Sequence, residues 1–304
     1  MTRVFGLDSQ LAVTVFSSVV VPHESRGEIS EADLENYLSK AVWKSFDVLR
    51  KEAAERLGVN EVDLILAGAR VVGMKVDGHE VLNPHGFVGR TLEISLCITM
   101  VKRGVLESGK DKNNEAGVEI FEKGSAAAYL LSKLLDLSRL LYIEIEDDKT
   151  KLFLVTPIRT SYLNEFDWGK SHIAETYASS FGVPTETAFE IYGSFIKGDV
   201  SLTVLEKMRR VFYSAFKKFI DGLTVNVKNF PDLDLKRLPP IYIRSNFPLP
   251  EEMSKRAFML GKKRARFISL DKEMDIGDLV NNSPYNAYEW LNQLARRRIR
   301  WLMP

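Results

Sequence analysis

Residues 75–89, KVDGHEVLNPHGFVG, run directly into residues 90–100, RTLEISLCITM. The first segment is rich in turn-forming residues, because Asp77-Gly78 and Asn83-Pro84 each favour a tight reversal of the chain. Gly86 and Gly89 supply backbone conformations that residues with side chains resist. The second segment is largely apolar with polar residues interspersed, which predicts a long, half-buried strand over residues 91–100. Together the two segments predict a pair of fixed turns that lead into a central strand.

The residues before this stretch predict a helix and two strands. Ser30 stands three residues before Asp33, a pattern typical of a helix N-terminus with an acid in its first turn. Apolar residues then recur at helical spacing, and Gly58 closes the segment as a C-terminal cap. The strands are predicted at residues 62–66 and 71–76. Residues 28–103 are therefore interpreted as a compact α+β module.

The remainder of the chain mixes strands and helices. Residues 11–21 predict a strand that Pro22 ends, and the polar stretch at residues 101–117 predicts a domain boundary. Further strands are predicted at residues 140–146, 151–156, 160–166 and 241–245, and helices at residues 125–135, 171–181, 184–195, 202–222 and 285–302. This order predicts a mixed α/β fold.

The composition limits the kinds of partner and compartment. The 42 Lys and Arg residues nearly balance the 41 Asp and Glu residues, so the chain lacks the broad positive field that holds nucleic acid. The single cysteine, Cys97, lies in an apolar run and predicts a core residue instead of a disulfide framework. The apolar stretch at residues 11–21 is interrupted by polar residues and is too short to cross a bilayer. These features favour the cytoplasm and argue against nucleic acid as a partner.

The turn-and-strand stretch resembles the signature of the small inserted subdomain of the FtsA family of bacterial actin-like cell-division proteins. In that family a Val-Asp-Gly turn precedes Asn-Pro-x-Gly-x-x-Gly and a long strand, as it does in residues 75–100 here. The segment EISEADL, residues 28–34, is similar to the opening of the same subdomain. The strand, turn and strand before Trp168-Gly169 resemble the second actin-like half. The resemblance covers residues 4–270 and implies an actin-like, ribonuclease H-like fold in a reduced form.

The resemblance implies four parts of the chain. They are residues 1–27, a remnant of the first actin-like subdomain; residues 28–103, the inserted α+β subdomain; residues 104–280, a reduced second actin-like half; and residues 281–304, a basic amphipathic helix. The first part is too short for a complete actin-like subdomain, so the chain is expected to be either shortened or a fragment. In the family the inserted subdomain contacts partners, which implies the same role for residues 28–103.

One phosphate-binding hairpin departs from the actin-like pattern. Where the family reads Asp-Ile-Gly-Gly-Gly-Thr-Thr, residues 144–150 read EIEDDKT. The residues of this degenerate hairpin are Glu144, Glu146, Asp147, Asp148 and Thr150. Acids in place of glycines hinder the approach of backbone N–H groups to a phosphate and add negative charge where the phosphate would lie. The departure implies that the chain binds no nucleotide cofactor.

Two further segments bear on that prediction, and one alternative stays open. At the first phosphate loop, Gln10 and Leu11 stand where the family has Gly and Thr, and residues 241–249 lack the glycines of the adenosine contact. The alternative is a Mg²⁺ site that would use Glu144, Asp147 and Asp148. Hard cations favour carboxylate ligands, but an exposed turn rich in acids is commonly only solvated, and we favour that interpretation.

No other motif predicts chemistry. The sequence contains no Gly-x-Ser-x-Gly, Walker, His-Glu-x-x-His or Rossmann pattern, so no catalytic residue is assigned. His79 and His85 flank the Asn-Pro turn without a full set of further ligands at metal-binding spacing, so no metal site is assigned. The basic cluster formed by Lys255, Arg256 and residues 262–266 predicts a solvated helix face, with an anion site as the alternative.

The final predicted helix has an apolar arc and a basic side. The residues assigned to membrane or partner contact are Trp290, Leu291, Leu294, Arg296, Arg297, Arg300, Trp301 and Leu302. Aromatic and aliphatic groups of such a helix enter the acyl boundary while guanidinium groups meet anionic headgroups. FtsA relatives end in a similar helix, so peripheral attachment to a membrane is predicted. The alternative is that the two tryptophans pack on the protein's own core or on a neighbouring subunit.

These observations lead to two hypotheses from different classes. The first is a non-enzymatic actin-like scaffold in cell division, cytoplasmic or peripheral on the inner face of the cell membrane, which binds a protein partner and self-associates. The partner would be a tubulin-like division protein or, for a PilM-like relative, a component of a type IV pilus. The second hypothesis is a divergent actin-like ATPase or kinase-fold enzyme. The acidic hairpin favours the scaffold, which needs no cofactor.

Overall fold

The computed structural model describes residues 3–23, 27–107, 118–228, 238–260, 263–270 and 287–299. The strands in these ranges are β1 (Arg3–Leu7), β2 (Ala12–Pro22), β3 (Leu64–Val76), β4 (His79–Glu80), β5 (Thr91–Lys102), β6 (Val118–Glu122), β7 (Leu140–Ile145), β8 (Lys149–Val155), β9 (Arg159–Asp167), β10 (Ile241–Ser245), β11 (Ala257–Leu260) and β12 (Lys263–Ser269). The helices are α1 (Glu31–Leu57), α2 (Arg103–Glu107), α3 (Lys123–Leu134), α4 (Lys170–Phe181), α5 (Thr185–Lys197), α6 (Leu202–Lys228), α7 (Glu252–Lys255) and α8 (Glu289–Ile299), with a 3-10 turn at Glu61–Asp63.

The chain divides into two compact units. Unit 1 comprises Met1–Leu137, Thr156–Ser161 and Met274–Pro304. Unit 2 comprises Ser138–Val155 and Tyr162–Glu273. This division differs from the predicted one, because the boundary expected at residues 101–117 falls inside unit 1 and the final helix belongs to unit 1.

Helix α1 begins and ends where the sequence predicts. The Ser30 hydroxyl accepts a hydrogen bond of 3.1 Å from the Asp33 N–H, and the Asp33 carboxylate accepts one of 3.1 Å from the Ser30 N–H. The two bonds complete a capping box. Gly58, at φ 64°, ends the helix in the left-handed conformation that glycine adopts without strain. The apolar face of the helix, which includes Leu34 and Leu38, is buried in the core of unit 1.

The main sheet of unit 1 joins the first segment of the chain to the predicted module. Strand β2 pairs antiparallel with β5 along its whole length, from Ala12 opposite Val101 to Pro22 opposite Thr91. Strand β3 pairs with the other edge of β5, and β4 pairs with the end of β3. Strand β2, from the predicted part at residues 1–27, is therefore integral to the same sheet. Beside it, β1 and β6 form a parallel two-stranded sheet.

Strand β3 is continuous where two strands were predicted. Its register against β5 shifts between Leu66 and Gly68 and again between Val71 and Gly73. These shifts are bulges, which add a residue to one strand without ending it. The small residues at positions 67–69 favour such a bulge.

Unit 2 contains the predicted strand order. Strands β7 and β8 form an antiparallel hairpin, β9 lies beside β8, and β10 and β12 continue the sheet on the other side of β7. Strand β10 is parallel to both β7 and β12. When the edge strand β11 is left out and the other strands are numbered from β7, the order is 3-2-1-4-5, which is the ribonuclease H-like arrangement of actin-like folds. The predicted mixed α/β, actin-like fold class is confirmed, and helices α4, α5 and α6 cover one face with an aromatic core.

Lys263, Arg264 and Arg266 of the basic cluster lie on strand β12 and not on the predicted helix face, whereas Lys255 ends the short helix α7. Ala265 and Phe267 are buried while Arg264 and Arg266 are exposed, so this segment alternates with the period of a strand. The short helix α7 ends at Lys255, before β11 and β12. The charges concealed this alternation, because only two buried residues mark the inner face of β12.

Candidate functional site

The β7–β8 hairpin carries the degenerate phosphate-binding segment. Strand β7 is buried throughout, and the hairpin closes where the Glu146 N–H donates to the Lys149 carbonyl oxygen at 2.9 Å. Asp147 and Asp148 lie exposed at the tip, whereas Thr150 is fully buried. The Thr150 hydroxyl donates to the Trp168 carbonyl oxygen at 2.7 Å. The hairpin is thus fixed at its base and open only at its acidic tip.

Protein groups already engage most acids of this hairpin. Glu144 pairs with Arg244 on the neighbouring strand β10, with which it is in register. Glu146 pairs with Lys151 at 2.8 Å, and the Lys151 side chain is only 2% exposed. The Asp147 carboxylate accepts a hydrogen bond of 3.2 Å from the Asn246 amide. Two of these acids, Glu144 and Glu146, are therefore paired with cations, whereas the described partner of Asp147 is a neutral amide.

Lys149 does not act as a cation that faces a phosphate. Its ammonium group pairs with Glu165 on β9. The hydrogen bond from Lys149 to Glu165 raises the pKa of the lysine above its usual value. The ion pair with Glu165 thus keeps the Lys149 ammonium group beside β9.

The N-terminus of helix α4 is closed by the same hairpin. The Lys170 N–H donates to the Glu146 carbonyl oxygen at 3.2 Å, and the Ser171 N–H donates to the Asp147 carbonyl oxygen at 2.8 Å. Gly169 allows this approach, because a Cβ there would lie 2.2 Å from the Glu146 oxygen. The first N–H groups of a helix are the ones that commonly bind phosphate. Here these N–H groups donate to carbonyl oxygens of the hairpin turn. The same turn would have to act together with them to bind a phosphate.

The turn between β1 and β2, in unit 1, is also closed by the protein's own groups. The Gln10 N–H donates to the Asp8 carboxylate at 2.9 Å, and the Leu11 N–H donates to the Asp8 carbonyl oxygen at 2.9 Å. The Ser9 hydroxyl donates to the Glu122 carboxylate at 2.6 Å. Gln10 and Leu11 therefore direct their amides inward, at the positions where the actin-like pattern has Gly and Thr.

Glu122 is a functional-site residue that the sequence analysis missed. It is fully buried at the end of β6, and its carboxylate accepts hydrogen bonds from Ser9, from the Ser125 hydroxyl at 2.8 Å and from the Thr14 N–H at 3.3 Å. The Arg56 guanidinium forms an ion pair with it. No pattern in the sequence distinguishes this acid from any other acid that follows an apolar strand, because its donors come from four separate segments.

The alternative of a Mg²⁺ site at the acidic hairpin gains no support. Among the residues that the structure describes, no group of three or more His, Cys, Asp or Glu side chains is placed to hold a metal ion. Glu144 faces Arg244, which competes with a cation for the carboxylate. His79, on β4, and His85, in the loop that follows, are both exposed.

The loop between β4 and β5 is fixed at its base and exposes apolar side chains. The Ile29 N–H donates to the Phe87 carbonyl oxygen at 2.9 Å, and the Gly86 N–H donates to the Ile29 carbonyl oxygen at 3.0 Å. Exposure is high at the three apolar positions, with Leu82 at 62%, Phe87 at 46% and Val88 at 69%. We call these three residues the loop triad. Three large apolar groups on one hydrogen-bonded loop form a preorganised contact surface.

Asp77 fixes the other end of this loop. Its carboxylate accepts hydrogen bonds from the Thr91 N–H at 2.8 Å and from the Arg90 N–H at 3.0 Å. The hydrogen bonds from Thr91, followed by those from Arg90, hold the pKa of Asp77 below its usual value. A Cβ at Gly89 would lie 2.3 Å from a Val76 methyl carbon, so glycine is required there. The residues of the recognised motif thus build one loop.

The final helix, α8, packs in the core of unit 1. It contains several of the residues that the sequence analysis assigned to membrane contact. Leu291 and Leu294 are 0% and 1% exposed, so neither side chain is available to a membrane in this arrangement. The buried Asn292 amide pairs with the backbone of Val71 on β3, accepting at 2.7 Å and donating at 3.2 Å. The assignment of the two leucines to a membrane or partner surface is therefore corrected, because they fill the core beside β3.

Of the other residues assigned to membrane or partner contact, one is partly exposed, and the side chains of the rest lie outside the described part of the chain. Trp290 is 38% exposed. The side chains of Arg296 and Arg297, and residues Arg300, Trp301 and Leu302 altogether, lie outside the described part of the chain. In the ranges that the structure describes, no helix is both long and apolar enough to span a bilayer.

Solved structures similar to this chain have the actin-like ATPase fold. A PilM-PilN type IV pilus biogenesis complex matches at 14% identity with a TM-score of 0.45, over 97% of this chain and 79% of that one. MreB 5 of Spiroplasma citri bound to AMPPNP matches at 16% identity with a TM-score of 0.42, over 66% of each chain. The ethanolamine utilization protein EutJ of Carboxydothermus hydrogenoformans matches at 17% identity with a TM-score of 0.37, over 57% of this chain and 56% of that one.

No protein-family model matches the chain, and comparison with curated proteins gives no match. TM-scores below 0.5 carry no argument about binding or activity. The strand order of unit 2 is the observation in the chain itself that fits these neighbours. Kinship with FtsA in particular stays a prediction.

Proposed function

We propose that this chain is a non-enzymatic actin-like scaffold in bacterial cell division, which links a cytoplasmic filament or partner protein to the membrane. The observation that carries the proposal is the bonding at the β7–β8 hairpin, where the N–H groups of Lys170 and Ser171 are bonded to the turn itself. An actin-like nucleotide site needs backbone N–H groups directed at the phosphates. A chain whose backbone N–H groups form internal hydrogen bonds can still use the fold as a surface that contacts partners.

The loop triad is the proposed partner-contacting surface. Its side chains are exposed, while the backbone on either side is fixed by hydrogen bonds to Ile29 and Asp77. A fixed loop loses little conformational entropy on binding, so its apolar area contributes more fully to affinity. This assignment narrows the partner-contacting role expected of residues 28–103 to one loop.

A pull-down with two candidate ligands tests the proposal. One is the tail peptide of a tubulin-like division protein, and the other is a cytoplasmic peptide of a pilus membrane protein. We expect the intact chain to retain one of them and the Leu82→Ser, Phe87→Ser, Val88→Ser variant to bind it at least about tenfold more weakly, since exposed anchors dominate such interfaces. The matched control is Val48→Ser, Val62→Ser, Leu134→Ser, which removes equally exposed apolar groups elsewhere in unit 1.

Two outcomes would count against the scaffold assignment. If neither peptide binds the intact chain, the proposed partner classes are wrong. If both triple variants weaken binding equally, the loop triad is not the contact surface.

A divergent actin-like ATPase is the second candidate, and one cavity favours it. The cavity, about 320 Å³ in volume, lies in unit 2 at the carboxyl ends of the parallel strands β10 and β12. Its lining includes Ile243, Leu249, Met253, Lys255 and Phe267. In open α/β sheets ligands bind outside the carboxyl ends of the strands. Nucleotide binding separates the two candidates, because only the ATPase requires it.

A further inference from the structure

The β11–β12 hairpin at the edge of unit 2 has two chemically distinct faces. Its inner face packs Phe258, Leu260, Ala265 and Phe267 into the core of the unit. On its outer face Arg266 lies opposite Ala257, and Arg264 lies opposite Met259. Ile268 follows on the same side of β12, because alternate residues of a strand share a face. We call Ala257, Met259, Arg264, Arg266 and Ile268 the outer face.

The outer face combines exposed cations with exposed apolar groups. Arg264 and Arg266 are exposed, and Met259 and Ile268 are 50% and 43% exposed. In the described ranges neither arginine forms an ion pair, and their cross-strand neighbours are apolar. Lys263, at the start of β12, is also exposed, but it lies on the same side of the strand as Ala265 and Phe267.

Among the described residues, the acids nearest in sequence to β11 and β12 do not neutralise these cations. In α7 and the residue before it, Glu251 pairs with Lys255, and Glu252 pairs with Arg209 at 2.8 Å. The hydrogen bond and charge of Lys255 hold the pKa of Glu251 below its usual value, so this acid remains ionised in its pair. The outer face therefore presents net positive charge.

We infer that the outer face docks on an anionic lipid surface. Guanidinium groups interact with lipid phosphates, while Met259 and Ile268 reach the apolar boundary beneath the headgroups. An acidic protein surface would satisfy the arginines but would leave the two interleaved apolar side chains without a matching environment. The membrane contact is thereby placed on β11 and β12, since Leu291 and Leu294 of α8 are buried.

This inference rests on the proposed function for the presence of a membrane partner, and it names the surface involved. Each basic residue near an anionic surface contributes about 1 kcal/mol. The two arginines give reversible binding that weakens as salt screens the charges. The apolar pair adds a contribution that salt does not screen.

Sedimentation of the intact chain with lipid vesicles tests the inference. The vesicles contain phosphatidylcholine alone or phosphatidylcholine mixed with phosphatidylglycerol. We expect binding only to the mixed vesicles, and a loss of about thirtyfold for Arg264→Ala with Arg266→Ala, the factor that about 1 kcal/mol for each of two basic residues gives. The matched control is Lys217→Ala with Lys218→Ala, two exposed cations of α6. That control should change binding by less than about threefold, because it alters only the overall charge.

A second variant and a folding measurement keep the result interpretable. Met259→Gln with Ile268→Gln retains the charges and should abolish the binding that survives raised salt. Circular dichroism and Tm of each variant confirm that the fold is retained.

Equal losses in the two double-alanine variants, or no loss in either, would overturn the assignment to the outer face while leaving membrane binding intact. Failure of the intact chain to bind the mixed vesicles would overturn the inference and the membrane part of the proposed function. The partner part would still be decided separately, by the pull-down with the loop triad variant.

Discussion

The β1–β2 turn of unit 1 and the β7–β8 turn of unit 2 are closed by different means. At the first, a buried side chain is central. The Glu122 carboxylate accepts hydrogen bonds from Ser9, Thr14 and Ser125 and forms an ion pair with Arg56. At the second, the backbone dominates, because carbonyl oxygens of the turn accept from the first N–H groups of α4. The difference shows that two turns can be closed by different kinds of protein group.

The two modes of closure predict different sensitivities to substitution. Substitution of a buried carboxylate that has several donors should lower stability strongly. Its removal leaves a guanidinium and hydroxyl groups without their partner. A turn that is bonded through its backbone tolerates changes in its exposed side chains. It depends instead on the glycine that lets the backbone segments meet.

The largest expected effect is at Glu122. Glu122→Ala should lower the free energy of unfolding by about 4 kcal/mol, because breaking a buried ion pair leaves a charge uncompensated. The matched control is Glu52→Ala, whose acid pairs with Arg159 at the surface and should cost about 0.5 kcal/mol. Urea unfolding of both variants measures the difference. A loss at Glu122 no larger than that at Glu52 would show that the buried network does not hold the first turn.

A somewhat smaller effect is expected at Gly169. Gly169→Ala places a Cβ against two backbone oxygens, at 2.2 and 2.5 Å, so the helix or the hairpin must move. We expect a loss of about 3 kcal/mol, at the upper end for overpacking. Gly193→Ala is the control, because nothing lies within 4 Å of its Cβ position and alanine favours a helix interior by about 1 kcal/mol. Thermal unfolding that ranks Gly169→Ala as stable as Gly193→Ala would remove the argument for a backbone-closed turn.

The smallest effect concerns the pH dependence at the second turn. The pKa of Lys149 is raised by its hydrogen bond to Glu165, so this pair stabilises the folded chain below the unfolded-state pKa of the lysine, about 10.4. The contribution is lost as the pH rises through the higher folded-state pKa. Both side chains are partly exposed, so Lys149→Met should cost no more than about 1 kcal/mol at neutral pH. A comparison of urea unfolding at neutral and strongly alkaline pH should show the variant's deficit shrinking at high pH, and a constant deficit would contradict the ion-pair account.

Local signals in the sequence were sufficient for much of the fold. Ser30 and Gly58 bound α1, Pro22 ends β2, and the predicted limits of β10 agree with the structure. These elements carry caps, breakers or apolar runs that act over a few residues. The motif of turns and glycines likewise predicts its own loop, because Asp77 and Gly89 act on near neighbours.

What depends on distant residues was missed. The alternation of buried and exposed residues in β12 was obscured by its charged side chains. The role of Leu291 and Leu294 in the core of unit 1 was not predicted, because an amphipathic helix has the same pattern on a membrane as on a protein. Glu122 was missed because three of its four partners, Ser9, Thr14 and Arg56, lie far from it in the chain. The degenerate hairpin was located correctly, but its bonding to Lys170 and Ser171 required the fold.

Calorimetric titration of the purified chain with ATP and Mg²⁺ tests the central claim most directly. With the turn amides bonded internally in both units, we expect no saturable binding at physiological ATP concentration. Saturable binding with a micromolar Kd would contradict the account, because it would require backbone N–H groups at these turns to be available to a phosphate after all.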